Sequence, residues 1–350
     1  MLRHVRDRRV ARWLAQARPL TSAAILRLSA AAIFLFAPLC FPAPSRAGGL
    51  DLPPDAVRAR DLIYSGNTTA AIAIAQSLQK SQPDHPLGFL LEGEARWWDR
   101  YCAALEVKYG MVEAWKKVKD PDDDAYLALA DHAVQLAEAR IAKSDTAEMR
   151  VYAGFAYALK TRVYSLRGEN RNAARAGVAA RAEMLRALEL DPQNADATAG
   201  LGIYNYYVDT LSPIVKLLRI FMGIPGGDKQ EGVRQMQDGM ARGSLLDVDV
   251  RFILARALRQ YDQKYQQALE TALPLLSRYP RNPEFLLLVG NLNIELGRDA
   301  KAREYFQAVL NLPPASSSCS SCANCPACSH SDPCLAHARE LANSFLAGLH

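Results

Sequence analysis

The chain lacks the residue patterns that most catalytic chemistry requires. Its six histidines are His4, His85, His132, His330, His337 and His350, none in metalloprotease spacing or beside a nucleophile motif. There is no Gly-x-Ser-x-Gly elbow, no Walker loop and no dinucleotide fingerprint. Gly226-Gly227-Asp228-Lys229 lacks the following hydroxyl and the glycine spacing of a phosphate loop. β-branched and alternating apolar stretches are almost absent, which argues against a sheet-built domain. No basic run is interleaved with aromatics, so nothing points to a nucleic-acid surface. These absences favour a non-enzymatic protein.

The N-terminus is the one strongly basic stretch. Arg3, Arg6, Arg8, Arg9, Arg12, Arg18 and Arg27 precede an apolar run from Leu28 to Phe41, and Ser45-Arg46-Ala47-Gly48 follows. The run is about 14 residues and contains Pro38, shorter than the roughly 20 residues of a membrane span. Residues 1–47 therefore read as an export signal cut after Ala47, with periplasmic delivery; an uncleaved membrane anchor is the alternative. Cys40 follows Ala37-Pro38-Leu39, with no small residue immediately before it, which excludes lipoprotein processing, and the surroundings of Arg8-Arg9 do not fit the twin-arginine route. The formal charge of the chain is +5; removing the net +7 of residues 1–47 (eight Arg, one Asp) leaves −2. The basic character belongs to the signal.

What is present is a period. Pro280 and Pro314 stand 34 residues apart, with Gly290, Gly297, Ala302 and Phe306 between them. The register recurs at Gly66, Ala71, Ala75, Pro83 and Gly93, at Leu188 to Pro192 with Leu201 and Gly202, and from Asp249 to Pro280 with Ala268. Small residues at such positions let helix axes approach closely, aromatics fill gaps, and proline ends the second helix of a pair. The spacings of 109 residues from Pro83 to Pro192 and 88 from Pro192 to Pro280 are not multiples of 34, so the array is degenerate.

These matches resemble the tetratricopeptide repeat family. The resemblance implies an all-α solenoid of antiparallel helix pairs that binds a protein or peptide partner. The expected organisation is a helical-repeat domain over residues 48–314, a Ser/Cys-rich loop over 315–333 and a capping helix over 334–350. Helices are expected up to about Pro121, then over 125–143, 146–167 and 170–190. Asp120-Pro121-Asp122-Asp123-Asp124 reads as a helix stop and restart, since a calcium loop would need a glycine turn among alternating ligands. Residues 203–232 break the pattern with an apolar stretch from Ile214 to Met222. This stretch resembles an insertion in bacterial repeat proteins related to the tetratricopeptide-39 family over about 30 residues. It reads as a tight corner before a helix starting near Lys229, or as a point of membrane-surface or partner contact.

The second conspicuous segment is Ser316 to Cys334, with Cys319, Cys322, Cys325, Cys328 and Cys334. Cysteines three apart can converge on one ion with His330 or His337, so a zinc or iron–sulfur site is one reading. Disulfides formed after export are a second, with Cys102 requiring a distant partner, and unpaired thiols in a low-complexity loop are a third. Leu335, Ala338, Leu341, Ala342, Phe345 and Leu349 then form one apolar stripe, suited to covering the end of the array.

If the first helix of each pair lines a concave face, its inward positions are Glu94, Trp97 and Trp98, then Tyr206 and Tyr207, then Gln260, Tyr261, Asn291 and Glu295. One of the two adjacent tryptophans is expected to pack between helices. Aromatics beside polar groups suit an extended peptide or helix. The expectations to test are thus a scaffold without a required cofactor, a metal or thiol-redox protein using the cysteine cluster, or a solute-binding accessory subunit of a transporter.

Overall fold

The computed structural model describes residues 48–117, 119–212, 216, 219–220, 223–313 and 333–349. The fold is an all-α solenoid of antiparallel helix pairs. In chain order the elements are α1 (Pro54–Tyr64), α2 (Thr68–Ser81), α3 (Leu87–Ala103), β1 (Leu105–Lys108), β2 (Met111–Ala114), α4 (Asp123–Ile141) and α5 (Ala147–Arg167). They continue as α6 (Asn170–Leu190), α7 (Ala195–Thr210), α8 (Lys229–Arg242), α9 (Asp247–Gln260), α10 (Tyr265–Arg278), α11 (Pro283–Glu295), α12 (Asp299–Leu310) and α13 (Pro333–Gly348).

The helix boundaries follow local chemistry. Asn67, Thr146, Asn194, Asp228 and Asn282 each accept a backbone N–H three residues on, satisfying a donor that the helix itself leaves free. Gly168 and Gly297 end helices with positive φ, which a side chain would strain. The 21-residue α6 is two turns longer than the 14-residue α8 and α10, which accounts for the stretched spacing before Pro192.

Odd- and even-numbered helices bury different amounts of themselves. α11 is buried without interruption from Pro283 to Asn293, whereas α12 buries only Ala302, Phe306 and Val309. The first helix of a pair thus lies inside and the second covers it with one stripe. Close approach within pairs depends on small residues. A Cβ on Gly202 of α7 would stand 2.9 Å from the Gly232 carbonyl oxygen of α8, and one on Gly290 would meet the Phe306 ring at 2.7 Å.

The inner helices also touch across the array. Trp98 of α3 packs against Tyr64 of α1, Phe252 of α9 and Phe285 of α11, with ring centroids 5.0–5.6 Å apart. The first pair is fastened to the last two at the turn between α10 and α11: Asn282 Nδ2 donates to the Tyr64 carbonyl at 2.9 Å, and the Tyr279 hydroxyl to Asp61 at 2.7 Å. Asp196, buried at the start of α7, accepts the N–H groups of Leu50, Ser244, Leu245 and Leu246. One carboxylate therefore ties the segment before α1 to the turn before α9.

The expectation of helix up to about Pro121 is corrected by a β-hairpin. Leu105–Lys108 pairs antiparallel with Met111–Ala114, and both turn residues, Tyr109 and Gly110, have positive φ. Positive φ at both central positions is the geometry that matches strand twist in a two-residue hairpin turn. Further along, α13 covers the end of the array with Leu335, Ala338, Leu341, Ala342 and Phe345 buried, and Phe345 stacks on Phe306 at 4.9 Å.

Candidate functional site

The hairpin lies over the C-terminal halves of α9 and α11. Arg259 of α9, fully buried, donates to the Val112 carbonyl and to Glu113 Oε2, both at 2.8 Å, and to Asn291 Oδ1 at 2.8 Å. Asn291 Nδ2 donates to the Gly110 carbonyl at 2.7 Å. Glu113 also pairs with Arg256 and accepts from the Tyr101 hydroxyl at 3.2 Å. Burial raises the pKa of Glu113, but the Arg256 and Arg259 guanidiniums outweigh it and hold the carboxyl below the usual carboxylate range. Buried, this carboxylate is affordable only because two cations and a hydroxyl face it.

A second charged cluster links three inner helices. Arg162 of α5 donates to Glu94 Oε2 of α3 at 2.7 Å and pairs with Asp249 of α9; the Trp98 indole N–H donates to Glu94 Oε1 at 2.8 Å. Two buried carboxylates share one guanidinium, so one negative charge is in excess. Burial, with Asp249 adding to it against the pull of Arg162, pushes Glu94 up to about 7.

Around these clusters lies a partly open surface of aromatic faces and guanidiniums. Arg162 stands 5.5 Å over the Trp97 ring and Arg256 4.8 Å over Tyr101. Tyr207 and Tyr261 meet edge to face at 6.0 Å. Trp97 and Tyr207 are half-buried and Tyr261 is 46% exposed. Stacked guanidiniums and perpendicular rings present flat apolar faces whose orientation is already fixed.

The structure places the nine sequence-derived groove residues in two groups. Trp97, Tyr207, Gln260, Tyr261 and Glu295 reach the surface at least in part. Glu94, Trp98, Tyr206 and Asn291 do not: Glu94 holds Arg162, Trp98 is the aromatic hub, the Tyr206 hydroxyl donates to the Ala257 carbonyl, and Asn291 holds the hairpin. Those four are core residues because the array turns tightly enough for its inner helices to meet, removing the open groove that an extended solenoid would have. Sequence reasoning missed Glu113, Arg162, Asp249, Arg256 and Arg259. The available signal was charge at positions otherwise filled by apolar residues, as in Val250-Arg251-Phe252-Ile253-Leu254-Ala255-Arg256-Ala257-Leu258-Arg259.

Cys334 forms a disulfide with Cys102, the distant partner that Cys102 required, across 232 positions of sequence. The bond joins the end of α3 to the start of α13. Glu284 lies beside it, and its carboxylate oxygen and the two sulfurs are within 4.8 Å of one another; bonded to each other, the sulfurs are not thiolate ligands. Cys319, Cys322, Cys325, Cys328 and His330 lie outside the described residues.

Residues 254–317 match the family described as tetratricopeptide repeat. That segment runs from the middle of α9 through α12 and is similar to tetratricopeptide repeats. No curated protein matches the chain. Among solved structures it is similar to the C-terminal part of a TPR repeat-containing protein from Cytophaga hutchinsonii, at 15% identity, over 73% of this chain and 78% of that one, with a TM-score of 0.32.

Proposed function

We infer that the chain is an exported scaffold that binds a protein or peptide partner on the surface formed by Trp97, Tyr207 and Tyr261 with Arg162 and Arg256. The observation that carries this reading is the fixed array of half-exposed aromatic faces and stacked guanidiniums beside the hairpin, on inner helices of a repeat class that serves protein interaction. Such faces supply contact area with little ordering cost, as binding hot spots do. The reading needs no cofactor and no catalytic group. The Cys102–Cys334 disulfide supports delivery to an oxidising compartment, in keeping with the signal-like N-terminus.

No described helix is long and apolar enough to cross a membrane. The segment between α7 and α8 carries Ile220, 67% exposed, which supports contact with a membrane surface as an accessory feature of the same scaffold.

The test is affinity capture from the native envelope with the wild-type chain and with a Trp97→Ala/Tyr261→Ala variant, checked for folding by circular dichroism. A partner retained by the wild type and lost by the variant supports the surface. Recovery of the same partners at the same yield by both chains sinks it.

A further inference from the structure

Away from that surface, a cavity of about 120 Å³ opens where the segment before α1, the α2–α3 turn and the start of α5 meet. Pro53, Leu78 and Leu87 form its apolar wall; Gln82, His85, Glu148 and Tyr152 are its polar wall. An engineered cavity of about 150 Å³ admits benzene, so the space suits a ligand of about six non-hydrogen atoms.

The polar wall is one acid without a counter-ion. Glu148 accepts from the Tyr152 hydroxyl at 2.9 Å, and no lysine or arginine pairs with it among the described residues. It stands in the first turn of α5, where the free N–H dipoles favour a negative group. Arg140, the cation nearest in effect to His85, donates its Nε–H to the Asp84 carbonyl at 2.7 Å. Burial and then the Arg140 charge push His85 down, so the imidazole is neutral at pH 7. Its Nδ1 accepts from the Leu87 N–H at 3.3 Å, which leaves the ring proton on Nε2 as a donor. The Tyr152 phenol is held protonated by burial and by Glu148 beside it. The wall therefore offers one carboxylate acceptor, one imidazole donor and an aromatic edge beside the neutral Gln82, with a formal charge of −1.

The geometry points to a binding site for a small primary ammonium group, paired with Glu148, whose hydrocarbon stem lies on Leu78 and Leu87 and whose polar far end accepts from His85. Two sources carry that chemistry: a free short amine, and the lysine side chain of a partner. Neither involves the surface assigned to partner binding above, so failure of one site leaves the other standing.

The test uses the full chain and isothermal titration with 4-amino-1-butanol, with Nα-acetyl-lysine-N-methylamide and with 1,4-butanediol, the neutral counterpart of the amino alcohol. 4-Amino-1-butanol or the lysine derivative is expected to bind at least about tenfold more tightly than butanediol. Tighter binding of 4-amino-1-butanol assigns the site to a free amine, and tighter binding of the lysine derivative assigns it to a protein side chain. Glu148→Gln, which keeps an acceptor for Tyr152, should weaken the amine by at least about tenfold. Leu78→Trp, which fills the cavity, should abolish binding while the thermal unfolding transition remains cooperative. The assignment is overturned if neither amine binds up to about 10 mM, if butanediol binds equally well, or if Glu148→Gln leaves amine binding unchanged.

Discussion

Asn291 on α11 donates through Nδ2 to the carbonyl oxygen of Gly110 at the tip of the β-hairpin, 2.7 Å away. An inner-helix position that the repeat template offers to a guest is thus taken by the chain's own turn. Asn291→Ala removes this bond and the one its Oδ1 accepts from Arg259, leaving a buried guanidinium N–H unpaired. The expected loss is about 2–4 kcal/mol in urea unfolding. Hydrogen exchange should accelerate in residues 105–114 and stay unchanged in α6. Equal protection of the hairpin in variant and wild type would show that Asn291 does not hold it.

Glu113 should be more costly to remove. It is the only carboxylate paired with Arg256 and Arg259 among the described residues, so Glu113→Ala leaves the buried Arg259 and the part-buried Arg256 without a counter-charge. Breaking such a cluster from one side costs about 3–5 kcal/mol. An urea midpoint within error of the wild type would mean that solvent already reaches these guanidiniums.

The period from Pro280 to Pro314 was legible because Gly290, Ala302 and Phe306 report packing that is local in sequence. Gly290 is small because Phe306 lies on it, and both belong to one helix pair. The hairpin was not legible in the same way: Tyr109-Gly110 is an unusual pair for a turn that takes positive φ at both residues, and Leu105–Ala114 follows a helix without proline to announce its end. The candidate surface was half legible. The template identified which helix faces inward, but it could not show how tightly the array turns. That tightness comes from contacts such as Trp98 with Phe252 and Phe285, more than 150 residues apart in sequence, and it converts Glu94, Trp98, Tyr206 and Asn291 from surface to core.

Gly202 tests the close-packed crossing of α7 and α8. A methyl group there would sit 2.9 Å from the Gly232 carbonyl oxygen and from the Met236 backbone nitrogen, neither of which can rotate away. The better helix propensity of alanine is worth less than about 1 kcal/mol, whereas overpacking costs about 1–3 kcal/mol. Gly202→Ala should therefore lower the melting temperature, while Gly177→Ala on the open side of α6, where the nearest atom is 3.9 Å away, should hold or raise it. The reverse order would contradict the crossing.

Reduction tests how the ends of the array are held. The Cys102–Cys334 bond closes a loop of 232 residues, for which chain entropy gives an upper figure of roughly 5 kcal/mol. Cys102→Ser/Cys334→Ser should lower the melting temperature and raise hydrogen exchange first in α13. If α13 retains its protection, packing of Phe345 on Phe306 alone is sufficient to hold it.

The shared guanidinium of Arg162 predicts a pH dependence whose sign can be worked out. Glu94 titrates near 4.5 when unfolded and near 7 in the fold, so between these values the native state binds the extra proton. Unfolding then releases it, and the stability that the protonated group contributes is present below about pH 4.5 and lost as pH rises through 7. His85, pushed down by burial, works in the opposite direction below its own ordinary value, so the raw stability curve mixes the two. Comparison with Glu94→Gln isolates the carboxyl, because the amide keeps polar contacts to Trp98 and Arg162 but does not titrate. The stability of the wild type relative to this variant should fall by on the order of 1–3 kcal/mol from pH 5 to pH 8. A difference that is flat with pH would mean that Glu94 is ionised throughout and that Arg162 compensates both carboxylates; a rising difference would place the shared proton outside this cluster.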